Sequence, residues 1–172
     1  ILDQYLMQGG RILWVVNGVR FSEDDLSSDG ASPIIAMDLN INDMLFRYGV
    51  RVSHCLVQDL QCLLVPVDVS HDPENPNWQP LPWTYAPLLL TSPTSPITHN
   101  VSQVSASMAS AVELVGGEDG IHKEMLLATS SASRMTCTPA RVNLSLGVDD
   151  EESFSSALIP VAVSMEGSFP SL

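Results

Sequence analysis

The stretch Ile1-Leu2-Asp3-Gln4-Tyr5-Leu6-Met7-Gln8-Gly9-Gly10-Arg11-Ile12-Leu13-Trp14-Val15-Val16-Asn17-Gly18 sets the expected fold. Apolar residues at 1, 2, 5 and 6 repeat with helical spacing. Gly9 and Gly10 can adopt the left-handed turn that closes a helix. Residues 11–18 then form an apolar run rich in β-branched side chains. Such a run reads as a strand buried on both faces, as in a parallel sheet. A helix followed by a buried strand is the second half of a βαβ unit, whose leading strand would lie ahead of Ile1. The expected class is therefore α/β with a parallel or mixed sheet, and the domain is expected to be truncated.

Outward from that unit, residues 19–33 read as a loop with a short helix near Ser22–Leu26, capped by Ser22 and favoured by Asp24 and Asp25. Asn40 is placed to cap a helix through Tyr48, with Ile41, Met44, Leu45 and Tyr48 on one face and Gly49 closing it. Val50–Ser53 reads as a short strand and Leu63–Val69 as another, with Pro66 marking an edge or a bulge. Ser70–Pro82 is the clearest loop, and prolines continue around Trp78, Trp83 and Tyr85. The second half turns β-rich: Val101–Val115, Met125–Thr129, Arg141–Leu146 and Ile159–Glu166 are expected strands joined by Ser/Thr-rich links, with a helix marked by Val101, Val104, Met108 and Val112 as the alternative for the first. The chain thus divides into a βαβ-like half (1–69), a proline and aromatic loop region (70–100) and a β-rich half (101–172).

With 172 residues and 45% hydrophobic content, the chain has the size and composition of one domain able to bury a core. Its 20 Asp and Glu against 7 Lys and Arg give a net charge of −13. That balance repels phosphate backbones and anionic lipid, so nucleic acid is excluded as a partner. No basic and then apolar leader opens the chain. No apolar run approaches the ~20 residues needed to span a bilayer. Residues 1–172 are expected to be a soluble fragment, with any anchor or export signal outside them.

The motifs are read against their chemistry. Asp38-Leu39-Asn40-Ile41-Asn42-Asp43 starts like a calcium loop, but Asp43 stands where the turn glycine belongs and Gly49 where the bidentate glutamate belongs. It reads instead as a helix start rich in capping residues. His54, His71, His99 and His122 form no local metal-binding spacing. Neither GxSxG, SxxK, GxGxxG nor a P-loop occurs. Cys55, Cys62 and Cys137 contain no CxxC pair; Cys55 and Cys62 could pair only if the fold brings their Cα atoms within ~7 Å, and buried free thiols are expected. Gly116–Gly120 reads as a turn, and Asp149-Asp150-Glu151-Glu152 as a solvated loop. No catalytic residue, metal site or cofactor site is expected. The one candidate ligand or partner patch is Trp78, Trp83 and Tyr85, where aromatic rings among prolines could stack on a sugar or pin a peptide. The competing structural role for these rings is to plug the open end of the core.

Several stretches, in order along the chain, resemble one family: residues 2–14, residues 38–51, Leu56-Val57-Gln58-Asp59-Leu60-Gln61-Cys62, Ser95-Pro96-Ile97-Thr98-His99-Asn100, and residues 160–167. Together they resemble the gliding-associated ABC transporter substrate-binding component of Bacteroidetes (GldG) and the wider ABC-transporter auxiliary domain family. The resemblance implies a Rossmann-like fold similar to glutamine amidotransferases without their catalytic residues. It implies a non-enzymatic domain of a membrane-anchored protein on the periplasmic side of the cytoplasmic membrane. The implied partners are the permease and ATPase subunits of the same system and other envelope proteins, in gliding motility or envelope transport. Two alternatives stand beside it. One is an amidotransferase-like or hydrolase domain using Cys55 with His54, or Cys137 with a distant histidine. The other is a carbohydrate-binding module using Trp78 and Trp83.

Overall fold

The computed structural model describes the chain except residues 29, 71–73, 117–119, 145–150, 157 and 172. Its described helices are short: α1 (Leu2–Met7), α2 (Glu23–Ser28) and α3 (Asn42–Tyr48). Eleven described strands carry the architecture: β1 (Val19–Arg20), β2 (Ala31–Ala36), β3 (Val50–Asp59), β4 (Cys62–Asp68), β5 (Trp78–Thr91), β6 (Gln103–Ser105), β7 (Ser110–Leu114), β8 (Ile121–Ala128), β9 (Ser133–Cys137), β10 (Ala140–Asn143) and β11 (Pro160–Gly167). They form three sheets, ordered β1-β2-β10, β11-β8-β5-β4 with β6 added on β5, and β7-β3-β9. Every described strand pairing is antiparallel.

The expectation of a Rossmann-like α/β fold with a parallel or mixed sheet is therefore wrong. A parallel pair needs a crossover of a dozen or more residues returning to the same sheet. The strand–helix–strand run β2–α3–β3 places its two strands in different sheets. The decisive run 11–16 forms no strand at all, and Leu13 and Val15 stand 88% and 87% exposed. Its apolar, β-branched composition matches a buried strand, but burial depends on neighbours that local composition does not specify. The glycines before it do behave as read. Gly10 N–H donates to the Tyr5 carbonyl and Gly9 N–H to Leu6, closing α1 with Gly9 at φ 83°.

Other expectations divide along the chain. α3 runs to Tyr48 and Gly49 closes it in the left-handed conformation. Residues 31–33, expected as the end of a loop, open β2, and β3 extends well past Ser53 to Asp59. The loop expected through Pro82 gives way to β5 at Trp78. The 101–115 strand is split into β6 and β7, with Met108 at φ 56° between them. His71, Asp149, Asp150 and most of the Gly116–Gly120 turn lie outside the described residues.

One hydrophobic cluster joins the β1-β2-β10 sheet to β3 and β5: Val19, Leu26, Ile34, Leu56, Trp83, Tyr85, Ala86, Met108 and Val142. A second gathers Val57, Ala111 and Ile159. Between sheets, the end of β3 is pinned by a buried carboxylate. Asp59 is wholly buried and accepts hydrogen bonds from Gln61 N–H (2.8 Å), Ser130 N–H (2.6 Å) and the Ser130 hydroxyl (2.7 Å). Three donors compensate the cost of removing that charge from water.

Candidate functional site

The β4–β5 hairpin carries the candidate site. Its end is tied by Asp68, whose Oδ1 accepts from Ser70 N–H (2.9 Å) and Asn77 N–H (2.8 Å), while Val69 N–H donates to the Asn77 carbonyl. The register pairs Leu64 with Pro82, Pro66 with Pro80 and Asp68 with Trp78. Two prolines opposite each other cannot exchange N–H bonds, so these are the non-hydrogen-bonded pairs of the ladder. Their side chains share one face because strand side chains alternate. Leu64 (63% exposed), Pro66, Trp78 (62% exposed), Pro80 and Pro82 are all solvent-exposed on it. A stiff apolar face of this kind, centred on an indole, suits packing against a ring, a proline or an aliphatic side chain. Asp68, at its end, is the one ionisable side chain among these six, so the face offers no acid–base pair.

The same alternation sends the other two aromatics elsewhere. Trp83 and Tyr85 lie just past Pro82, where the β4–β5 register shifts, and burial there still alternates: Pro82 is exposed and Thr84 half-buried, while Trp83 and Tyr85 are buried. Trp83 (9% exposed) and Tyr85 (7%) sit in the main core, ring centroids 6.1 Å apart, and the Trp83 indole N–H donates to the Asn143 carbonyl at 3.2 Å. The structure thus brings Trp83 and Tyr85 together and sets Trp78 apart from them. Leu64, Pro66, Pro80 and Pro82 join Trp78 instead. Sequence reading missed these four because it took 70–82 as a loop, in which parity has no meaning.

The cysteines are also rearranged. Cys55 on β3 faces Cys137 on β9 in register, and the two form a disulfide. This corrects the expectation of free thiols for both and leaves neither as a thiolate for nucleophilic attack. Cys62 is free and half-buried. Burial, and then the nearby Asp59 carboxylate, push its thiol up, with a Trp83 main-chain hydrogen bond acting the other way. A raised thiol pKa lowers nucleophile content at neutral pH. The His54 ring is engaged elsewhere: its Nδ1 lies 2.8 Å from the Gly18 carbonyl, to which it donates. His99 and His122 are exposed. Among the described residues no group of three or more His, Cys, Asp or Glu side chains is placed to hold a metal. A concavity of about 560 Å³ between β1, α2 and β2 is lined by Arg20, Phe21, Pro33, Ile35 and the acidic first turn of α2.

Residues 1–172, the whole chain, match the family described as an ABC-type uncharacterized transport system, the ABC-transport auxiliary family. The chain belongs to this family. No curated protein and no solved structure matches it. Membership makes this ABC-transport auxiliary domain a component of a transport system, in keeping with association with other transporter components. Among the described residues of the auxiliary domain, no helix is long and apolar enough to cross a membrane.

Proposed function

We propose that this chain is a non-catalytic, extracytoplasmic binding domain of an ABC transport complex, and that the β4–β5 face around Trp78 contacts a partner protein of that complex. The observation that carries the reading is the exposed face of Leu64, Pro66, Trp78, Pro80 and Pro82 on a paired hairpin. Single exposed apolar residues need no explanation, but a contiguous group around an indole marks an interaction site. The Cys55–Cys137 disulfide supports the location, because such bonds persist in oxidising compartments such as the periplasm. Residues 1–172 then form one domain of a larger, membrane-anchored protein on the periplasmic side of the cytoplasmic membrane. Its partners are the permease and ATPase of the same system, with other envelope proteins beside them. The sequence resemblance favours the gliding-associated branch of Bacteroidetes.

Trp78→Ala in the full ectodomain tests the contact. A hot-spot indole contributes about 2 kcal/mol or more, so affinity for the purified permease complex should fall about 30-fold. Thermal unfolding should stay unchanged, since Trp78 packs on no core. Wild-type affinity in the variant would remove the face from the function. Thiol trapping in intact cells tests the location: Cys55 and Cys137 recovered oxidised agrees with it, and both recovered reduced contradicts it.

A further inference from the structure

The Cys55–Cys137 disulfide sits at a margin of the fold. Its two residues are directly opposite in the β3–β9 register, on the last rung of that ladder. Thr138 N–H donates to the His54 carbonyl at 3.0 Å, which makes the cysteine rung a non-hydrogen-bonded pair, the type that brings side chains closest. Neither cysteine is among the described members of the two hydrophobic clusters; Cys55 is half-buried, and Cys137 is exposed within residues 1–172. β9 is the edge of its sheet, and beside Cys55 the pairing of β3 with β7 is irregular between Val52 and Leu56. The two ends of β9 are held unequally. At the Ser133 end stand the Ser133–Ser156 bridge and Arg134, which donates to Gln58 and to the Ser153 hydroxyl and lies 4.3 Å from the Phe154 ring centroid. At the Cys137 end, among the described residues, the side-chain link is the disulfide. Just beyond it, Pro139 leads into β10, a strand of another sheet.

We infer that the Cys55–Cys137 bond is a redox switch: a protein dithiol of the CxxC class reduces it in the folded state, and the redox state of the pair sets the order of the corner between β9 and β10. Exposed disulfides are more readily reduced than shielded structural ones. Access selects the sulfur. A thiolate of the dithiol attacks Cys137 Sγ, the bond to Cys55 breaks, and Cys55 leaves as a thiolate that takes a proton. The second thiol of the dithiol then attacks the mixed disulfide and releases Cys137 as a thiol. The dithiol ends as a disulfide, and two electrons and two protons have passed to the cysteine pair. Enough remains after reduction to keep the fold. The rungs from Leu56–Thr136 to Asp59–Ser133, the Arg134 contacts and the Asp59 hydrogen bonds do not involve sulfur. β10 keeps its four rungs with β2 and its buried Val142. Opening is therefore confined to residues 137–140, a local transition well below global unfolding. The inference uses neither the Trp78 face nor the compartment, so it can fail separately from the binding reading.

The test uses the purified, oxidised full-length protein, in which any segment outside residues 1–172 is present and would block the reaction if it covered Cys137. The probes are reduced thioredoxin, a CxxC dithiol, and a thioredoxin whose resolving cysteine is replaced by Ser, which holds the mixed disulfide. Without denaturant, the first should reduce the pair and leave far-ultraviolet circular dichroism unchanged. The second should give an adduct that peptide mapping by mass spectrometry places on Cys137. On reduction, amide exchange in the peptide spanning residues 136–140 should speed about tenfold, while exchange at Asp59 and Val142 holds its rate. Cys55→Ser with Cys137→Ser should show the faster exchange with no dithiol added. Reduction that needs denaturant would overturn the inference in favour of a structural staple. Loss of the dichroism signal on reduction would overturn it in favour of a bond the whole fold requires. An adduct on Cys55 would overturn the route, and unchanged exchange at 136–140 in both the reduced protein and the Ser variant would overturn the switch.

Discussion

Asp59→Asn isolates what one buried charge does for this fold. The carboxylate is 0% exposed and takes three donors: Oδ1 receives Gln61 N–H and the Ser130 hydroxyl, and Oδ2 receives Ser130 N–H. Asparagine keeps the shape and replaces one acceptor oxygen by a donor. If its NH2 takes the Oδ2 position, it opposes Ser130 N–H. If it takes the Oδ1 position, it opposes Gln61 N–H. The Ser130 hydroxyl cannot freely reverse, because it already accepts from Ala132 N–H at 3.0 Å. Either orientation loses one charge-assisted bond and strands a donor, for a cost of about 3 kcal/mol within a range of roughly 2–5. For a domain of this size that lowers Tm by about 6–12 °C. At a typical urea m of about 2 kcal/mol/M it lowers the urea midpoint by about 1.5 M. The assay is urea unfolding followed by far-ultraviolet circular dichroism with the disulfide kept oxidised, and the m value should not change. Ser130→Ala should cost less, and the double variant should cost less than the sum because both changes act on one network. An Asp59→Asn loss below about 0.5 kcal/mol, the ordinary range of surface changes, would refute the reasoning.

Two further outcomes follow from the geometry. Replacing Cys55 and Cys137 by Ser frees a loop of sequence separation 82, and the chain-entropy estimate of ~4.5 kcal/mol sets the upper end of the stability lost; equilibrium unfolding of the oxidised and Ser forms measures it, and equal midpoints would contradict a closed disulfide. Tyr48 is buried, donates its hydroxyl to Asp3 at 3.0 Å, and burial and then Asp3 push its phenol up to about 12 from an ordinary 10.0. A phenol held neutral by the fold contributes stability below pH 10 that is lost as pH rises toward 12; alkaline unfolding followed by circular dichroism should show this loss, and Tyr48→Phe should remove that part of the pH dependence.

Much of the local structure was legible. The helix ending at Gly49, the turn at Gly9 and Gly10, and the strands at Leu63–Val69, Met125–Thr129 and Ile159–Glu166 all follow from spacing and residue type over a few positions. The candidate site was half legible. Trp78 among prolines was visible as an apolar group, but its separation from Trp83 and Tyr85 needs the knowledge that all three share one strand. The loop reading of 70–82 hid the start of β5, whose Pro80 and Pro82 fall in non-hydrogen-bonded pairs where their missing N–H is not required. The buried Asp59, the Cys55–Cys137 bond and the unpaired segment 11–16 were not legible.

By itself the sequence determined the acidic charge, the absence of familiar nucleotide, serine-nucleophile and local metal motifs, the turns at Gly9–Gly10 and Gly49, and, through ordered resemblance along the chain, the family. These depend on residue identity or on neighbours a few positions apart. Only the tertiary structure decided which strands pair, and with that the class of fold. The apolar run at 11–16 has the composition of a core strand, but a strand is buried by partners distant in sequence, and here β1 to β11 find antiparallel partners among themselves. The same non-local choice joined Cys55 to Cys137 and set Trp78 outside and Trp83 inside, because pairing register, not composition, selects the face each side chain takes.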